Sequence, residues 1–140
     1  MNSPVNRLFL ENAVGRVEED VRGFIRLQYH PGPRNSNSWQ ALMQHAKELL
    51  ARQGRGLMLI DQQRMAPFKP AEQTWLLEQW LPSAIVDGGY RYGAILQAHD
   101  VFARLAMDTV RTQARNLHLT YRYFSDEAAA IAWLLAQYKA

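Results

Sequence analysis

Cysteine is absent from this sequence of 140 residues. That absence excludes disulfides, thiolate nucleophiles and cysteine-ligated metal centres. No apolar run approaches the roughly 18 residues that a membrane-spanning helix needs. Glu11 and Asn12 interrupt the apolar stretch near the N-terminus, so the pattern of a signal peptide is missing there. These absences lead us to expect a soluble, cytoplasmic protein without a membrane span.

The spaced motifs of common catalytic sites are missing as well. The histidines do not form the HxH, HxxxH or HExxH spacings of metal sites; they are His30, His45, His99 and His118. No GxSxG nucleophile motif occurs, and the glycine-rich stretches lack the spacing and the lysine of a phosphate-binding loop. We therefore predict no metal, no cofactor and no complete set of catalytic residues.

A run of basic residues is also missing, although the formal net charge is +3. The basic residues are mostly arginine, and they are scattered among 13 acidic residues. No RNP-type or helix-turn-helix signature accompanies them. The sequence therefore favours an arginine-rich solvated surface over nucleic-acid binding. Nucleic-acid binding stays a weaker alternative, and it predicts retention on DNA that depends steeply on salt.

Apolar residues, in contrast, are plentiful. They make up 48% of the sequence, which is enough for a domain of this length to bury a hydrophobic core. Two alternating stretches within residues 7–30 predict a hairpin of two strands. Three more strands are predicted at LMLID (57–61), RYGAILQA (91–98) and HLTYRYF (118–124).

Four amphipathic helices alternate with these strands. The second begins at Pro70 and is expected to kink or break near Pro82, and the last is expected to be capped by Ser125. The predicted order is β-β-α-β-α-β-α-β-α. It indicates a single α/β domain over residues 1–140, with a four- to five-stranded mixed sheet that is mostly parallel.

Several stretches in this order resemble the STAS-like or SpoIIAA-like family of small bacterial α/β proteins. They are LIDQQRM, KPAEQTWLLEQWLPSAIVDGGYRYGAIL, DVFARLAMDTV and YRYFSDEAAAIAWL. The most specific features are a strand-ending acid, a helix-opening proline, a tryptophan pair and the residues that follow it: Asp61, Pro70, Trp75, Trp80, Pro82 and Gly88. The resemblance covers about residues 14–136, and it is nearest to the small stand-alone members common in Bacteroidetes.

The resemblance implies a four- or five-stranded mixed sheet flanked by helices. Related domains are phosphorylation-switched antagonists of anti-sigma factors, cytoplasmic modules of anion transporters or lipid-binding folds, so the family does not fix one function. The antagonists carry the phosphorylated serine shortly after the strand-end aspartate, where this chain has Gln62 and Gln63. Stand-alone relatives often carry an arginine two residues after that aspartate, whereas Arg64 here comes at the third position. The resemblance thus implies a module without the usual phosphoserine switch.

Asp61, at the end of a buried strand, is the first candidate site residue. A carboxylate at the carboxyl end of a central strand can act as a general base or can anchor a ligand. It can also cap neighbouring backbone N–H groups or pair with Arg64, and this structural role is favoured. His99 is expected at the same edge of the sheet. An acid–base pair of Asp61 and His99 is therefore open, beside the favoured reading in which Asp100 caps a helix and His99 is exposed.

Aromatic and basic side chains on two predicted helices are further candidates. Trp75 and Trp80 are five residues apart, which separates their rings by about 140° around a helix. One is expected in the core, and the other either in the core or on a pocket or partner surface. Arg104, Arg111 and Arg115 form one stripe of the third helix. That stripe is either a solvated face, which is the commoner case, or a surface for an acidic partner.

The leading hypothesis is a non-catalytic STAS-like regulatory or binding module. We expect it to engage a protein partner or a small apolar or anionic ligand near the Asp61 loop and the second helix, through Asp61, Gln63, Arg64, Trp75, Trp80 and His99. A homodimer would be a natural use of the surplus aromatic residues. The rival hypothesis is a small hydrolase or isomerase that uses Asp61 and His99.

Overall fold

The structure, a computed structural model, describes residues 7–138, with the side chains of residues 9–138. The strands are β1 (Arg7–Glu11), β2 (Gly15–Asp20), β3 (Phe24–Tyr29), β4 (Leu57–Asp61), β5 (Tyr92–Leu96) and β6 (Thr120–Phe124). The helices are α1 (Ser36–Gln53), α2 (Pro70–Trp75), a π-helical turn (Leu76–Trp80), α3 (Leu81–Val86), α4 (Val101–Gln113) and α5 (Glu127–Gln137). Because α2, the π-helical turn and α3 are continuous, four helical segments flank the sheet. The first six and last two positions of the predicted domain lie outside the described residues.

The strands form one mixed sheet whose order, β1-β2-β3-β4-β5-β6, follows the sequence. β1, β2 and β3 are antiparallel neighbours, and β3 to β6 are parallel neighbours. The α/β class and the mixed sheet are therefore confirmed, but the sheet has six strands where four to five were predicted.

The additional strand is β1, which the sequence pattern did not separate from β2. The turn between them is closed by a hydrogen bond from the Asn12 N–H to the Gly15 carbonyl, at 3.0 Å. The Asn12 side chain also accepts a hydrogen bond from the Val14 N–H, at 2.9 Å. An asparagine turn of this kind lacks the Asn-Gly or Asp-Gly pair that signals a hairpin most clearly. The sequence pattern therefore did not predict this turn.

The two faces of the sheet are covered unequally. α1, the helical run at residues 70–86 and α4 pack on one face, around the larger hydrophobic core. α5 packs on the other face, against Phe24, Leu57, Leu59, Ala94 and Leu96. The connections between the parallel strands therefore all lie on one side, and α5 crosses to the opposite side after β6. None of the helices within residues 7–138 has both the length and the apolar character needed to cross a membrane.

The helical run changes type where Pro82 lies. Proline lacks an N–H donor, and its ring crowds the preceding turn of an α-helix. The residues before it, Leu76–Trp80, are π-helical, and the Leu81 N–H donates to the Leu76 carbonyl. α3 then begins at Leu81, with Pro82 in its first turn. A change of helix type thus accommodates the proline, and the chain continues as a helix.

Aspartate side chains cap the N-termini of α4 and α5. Asp100 caps α4, because its carboxylate accepts a hydrogen bond from the Phe102 N–H at 2.8 Å. The prediction for α5 is wrong by one residue. Asp126, and not Ser125, caps that helix, since its carboxylate accepts from the Ala129 N–H at 2.9 Å. Both residues are good caps in general, so the sequence did not distinguish between them.

Candidate functional site

The loops that follow β4 and β5 meet at the carboxyl edge of the sheet. The Gln62 N–H donates to the Leu96 carbonyl, and the His99 N–H donates to the Gln63 carbonyl, each at 3.0 Å. β4 and β5 are parallel neighbours, which is why their carboxyl ends lie together. The structure therefore places His99 at the edge of the sheet that holds the Asp61 loop, and there its backbone pairs with that of Gln63.

Asp61 is the last residue of β4, and most of its surface is buried. Its carboxylate accepts a hydrogen bond from the Gln63 N–H at 3.0 Å, so it fixes the first turn of the loop. His99 is exposed. Among residues 9–138, no hydrogen bond joins the side chains of Asp61 and His99. The geometry thus gives Asp61 the role of a turn-capping carboxylate.

The rest of the loop divides into an anchored and an open part. The Gln62 side chain is buried and lies 3.2 Å from the Met107 sulfur, which ties the loop to α4. Gln63 is half-buried and Arg64 is exposed. Arg64 has no hydrogen-bonded or ion-paired side-chain partner within the part of the chain whose side chains are described. Gln63 and Arg64, together with the exposed Lys69 at the end of the loop, are therefore within reach of another molecule.

A buried ion pair, which we call the Arg34 clamp, holds the far end of this loop. The Arg34 guanidinium donates to both carboxylate oxygens of Glu72, at 2.9 Å and 2.7 Å. It also donates to the carbonyls of Ala66 and Pro67, at 2.7 Å and 2.8 Å. The cation lies over the ring of Phe68, 5.0 Å from its centroid. One guanidinium therefore fixes the loop, the start of α2 and the segment before α1 together.

Glu72 completes the Arg34 clamp from α2. Burial by itself would raise the pKa of its carboxyl, but the hydrogen bonds from Arg34 and from the Lys69 N–H outweigh burial and lower that pKa. No local sequence pattern indicates this pair, because Arg34 and Glu72 are 38 positions apart. From the sequence alone, an arginine that follows a Pro-Gly-Pro loop cannot be distinguished from an exposed, solvated arginine.

The Arg34 clamp predicts how stability depends on pH. The pKa of Glu72 is lower in the folded protein than its ordinary value of 4.5, so its contribution to stability is present above pH 4.5 and is lost as the pH falls through the folded-state pKa. We expect Glu72→Gln to destabilise the protein most at pH 7, and the difference from the wild type to shrink below about pH 4.5. Urea denaturation at a series of pH values measures this.

Glu78→Gln is the matched control for that experiment. Glu78 is exposed in the same helical run, and no ion pair of Glu78 occurs within residues 9–138. Its substitution should leave both the stability at pH 7 and the acid dependence close to those of the wild type. An equal difference between wild type and Glu72→Gln at all pH values would contradict the role assigned to the Glu72 carboxylate.

The two candidate tryptophans lie mainly in the core. Trp80 is 1% exposed, and its indole N–H donates to the Met43 carbonyl at 2.6 Å. Trp75 is half-buried, with its ring centroid 5.0 Å from that of Trp39. Of the two alternatives for this pair, the structure therefore favours packing for Trp80, and only Trp75 keeps an accessible part.

An apolar patch lies beside the exposed part of the loop, at the start of α4. Its members are Val101, Phe102 and Leu105, which are 54%, 69% and 59% exposed. We call them the α4 patch. The opposite side of α4 is buried through Ala103, Met107 and Val110. The sequence pattern itself indicates this patch, because these apolar residues lie outside the stripe of α4 that is buried against the sheet.

The candidate site at this edge consists mainly of exposed and half-buried side chains. Within residues 9–138, no group of three or more histidine, aspartate or glutamate side chains is close enough to hold a metal ion. A cavity of about 650 Å³ lies at the opposite, amino edge of β5 and β6, between Tyr90–Tyr92 and Leu117–Thr120. None of the predicted site residues lines that cavity.

Comparisons with protein-family models, with curated proteins and with solved structures find no match to this chain.

Proposed function

We propose that this protein is a non-catalytic, STAS-like binding module that engages a partner protein at the carboxyl edge of its sheet. The sequence resemblance supports the STAS-like part of this proposal. The mixed sheet flanked by helices agrees with what that resemblance implies. The binding surface comprises the α4 patch together with Gln63, Arg64 and His99. Gln62 and Gln63 stand where the antagonists of anti-sigma factors carry their serine, so binding here is not switched by phosphorylation of that loop.

The α4 patch is the observation that carries this proposal. Three large apolar side chains are exposed next to one another in the first two turns of one helix. Clustered exposed apolar residues, and aromatic residues in particular, are typical of protein interfaces. Arg104 and Asp108, in the same helix, are both exposed beside the patch. The partner surface that complements it is therefore apolar at its centre and carries charges of both signs at its rim.

A protein partner fits this surface better than a small ligand. Sites for small molecules are concave and enclose most of the ligand. The side chains of the α4 patch project from the outer side of a helix whose opposite side is packed in the core. A flat or grooved protein surface can cover them, whereas a small molecule would stay largely in contact with water.

The position of Asp61 also supports a binding role without catalysis. A general base must lie within hydrogen-bond reach of the proton that it removes. The Asp61 carboxylate is mostly buried and accepts the hydrogen bond of the Gln63 N–H. We therefore expect no turnover of small ester substrates. Specific turnover that Asp61→Ala abolishes would instead support the hydrolase or isomerase hypothesis with Asp61 and His99.

Substitution of the patch tests the proposed interface. We expect the double variant Phe102→Ser, Leu105→Ser to recover at least about tenfold less partner than the wild type. The measurement is an affinity pull-down from the cells of origin, with quantitative mass spectrometry. Both side chains are exposed, so the free energy of unfolding should change by no more than about 0.5 kcal/mol.

Val86→Ser is the matched control, because Val86 is 81% exposed at the end of α3, beside the cavity at the amino edge of β5 and β6. It should recover the same proteins as the wild type. Equal loss of partner in both variants would show that the surface of α4 is not the interface. Sedimentation of the purified protein separates a homodimer through the α4 patch from binding of another protein.

A further inference from the structure

A second surface, distinct from the α4 patch, lies along the outer edge of β6. β6 is the last strand of the sheet and pairs with β5 alone among residues 7–138. The Thr120 N–H donates to the Arg91 carbonyl at 2.9 Å, and the Phe124 carbonyl accepts from the Gln97 N–H at 3.0 Å. Backbone groups alternate in direction along a strand. The N–H and C=O groups of Tyr121 and Tyr123 therefore point away from the sheet.

The sequence of this edge favours pairing with another strand. β6 reads TYRYF, which consists of β-branched and aromatic residues apart from Arg122. Such residues have the highest tendency to form strands. Edge strands are commonly protected from pairing by proline, by a bulge or by charged side chains, especially lysine. β6 contains neither proline nor lysine, its register with β5 is regular, and Arg122 is its one charged residue. The backbone edge is therefore protected by a single positive charge, which an acidic strand would neutralise.

Arginines flank this edge on both faces of the sheet. On the α4 side, the Arg111 guanidinium lies over the Tyr123 ring, 4.9 Å from its centroid. On the α5 side, the Arg122 guanidinium lies 5.7 Å from the centroid of the Phe124 ring. Both arginines and Arg115 are exposed. None of the three forms an ion pair within residues 9–138, so their charges are available to an outside partner.

A small pocket adjoins the edge on the α4 side. Its volume is about 240 Å³, and it is lined by Arg111, Ala114, Arg115, Leu119, Thr120 and Tyr121. Two guanidinium groups and a tyrosine ring suit a carboxylate on a short side chain. Two of the three arginines that the sequence predicted as one stripe, Arg111 in α4 and Arg115 just after its end, thus border the open backbone of β6, whereas Arg104 lies at the other end of the helix. The outward backbone groups of β6, which can pair with a strand, and the two guanidinium groups, which can bind a carboxylate, are therefore adjacent.

We propose that the outer edge of β6 binds an extended acidic segment of another protein by strand addition. The backbone of that segment pairs with Tyr121 and Tyr123, as in other β-augmentation complexes. Its carboxylates meet Arg111 and Arg115 on one face and Arg122 on the other. A second copy of this chain fits less well, because antiparallel pairing of two β6 strands brings like charges at Arg122 towards each other.

A designed peptide tests the edge without knowledge of the natural partner. The probe is a ten-residue peptide with the repeating pattern Glu-Glu-Val-Val, which places glutamates on both faces of an extended strand, and its counterpart has lysine in place of glutamate. We expect the glutamate peptide to bind at least about tenfold more tightly than the lysine peptide, with an affinity that falls as salt rises. Fluorescence anisotropy of the labelled peptides measures both affinities.

Two pairs of variants separate the backbone from the charges. Tyr123→Pro and Tyr123→Ala both remove the ring, but only proline removes the outward N–H group. We expect the proline variant to bind the glutamate peptide about tenfold more weakly than the alanine variant, as the loss of one backbone hydrogen bond implies. Arg122→Glu should weaken binding by a similar factor, whereas Arg52→Glu, at an exposed position of α1, should not.

Four results would overturn this inference. They are absence of peptide binding up to about 1 mM, equal affinity for the glutamate and lysine peptides, equal affinity of the Tyr123→Pro and Tyr123→Ala variants, and dimerisation of the free chain that Tyr123→Pro abolishes. Tighter binding of single-stranded DNA than of the glutamate peptide would assign the arginines to nucleic acid instead. The Phe102→Ser, Leu105→Ser variant should bind the peptide like the wild type, which keeps this test independent of the α4 patch.

Discussion

Replacement of Arg34 with alanine is expected to lower the free energy of unfolding by about 3–5 kcal/mol, the usual cost of removing one partner from a buried ion pair. The Arg34 side chain is 3% exposed. Its removal leaves the Glu72 carboxylate buried without its cation, and leaves the carbonyls of Ala66 and Pro67 without their donor. Equilibrium urea denaturation at pH 7 measures the loss.

Lysine should replace Arg34 only in part. An ammonium group carries the charge, but it cannot donate in parallel to both oxygens of Glu72 and also reach two carbonyls. Arg34→Lys should therefore lie between the wild type and Arg34→Ala in stability. Arg52→Ala is the control, because Arg52 is exposed in α1 and should change stability by no more than about 0.5 kcal/mol. A loss below about 1 kcal/mol for Arg34→Ala would contradict the structural role of the Arg34 clamp.

Replacement of Trp80 with alanine is expected to cost about 3–5 kcal/mol in unfolding free energy. The Trp80 ring is almost completely buried at the end of the π-helical turn and packs edge-on against Tyr90, with 5.8 Å between the ring centroids. Alanine would leave a large cavity between the helical run and the sheet. Thermal and urea denaturation should both report the loss.

Trp80→Phe removes the indole donor and keeps much of the ring packing. The Met43 carbonyl lies within α1 and so retains its place in the backbone hydrogen bonds of that helix. We expect a cost of about 1–2 kcal/mol, from the net loss of one hydrogen bond and from the smaller ring. Phe102→Ala is the control for removal of an aromatic ring, since Phe102 is mostly exposed. Similar losses for Trp80→Ala and Phe102→Ala would show that Trp80 is not a core anchor.

The fold was largely predictable because most of its elements have local signals. The strand at 57–61 is a continuous apolar run, and its bounds agree with β4. Asp100 indicated the start of α4, because aspartate is a preferred N-cap residue. β1 was missed because an asparagine turn without the usual glycine pair separates it from β2. The choice of Asp126 over Ser125 at α5 depends on backbone geometry that adjacent good caps do not reveal.

The site was less predictable, because its parts come from distant segments. The strand order was enough to predict that Asp61 and His99 lie at the same edge of the sheet, but not that the His99 backbone pairs with Gln63. No local pattern pairs Arg34 with Glu72, since only the completed fold brings them together. The exposure of the α4 patch depends on which side of α4 meets the sheet, and the outward direction of the Tyr121 backbone depends on the pairing of β6 with β5.

The position of α5 has a consequence for how the protein is made. Within residues 7–138, α5 is the only helix that covers the second face of the sheet, where Leu57, Leu59, Ala94 and Leu96 are buried. These strand residues are synthesised well before Glu127–Gln137. The nascent chain therefore carries an uncovered apolar sheet face until α5 has left the ribosome. During that interval the unfinished chain is a substrate for chaperones and is prone to aggregation.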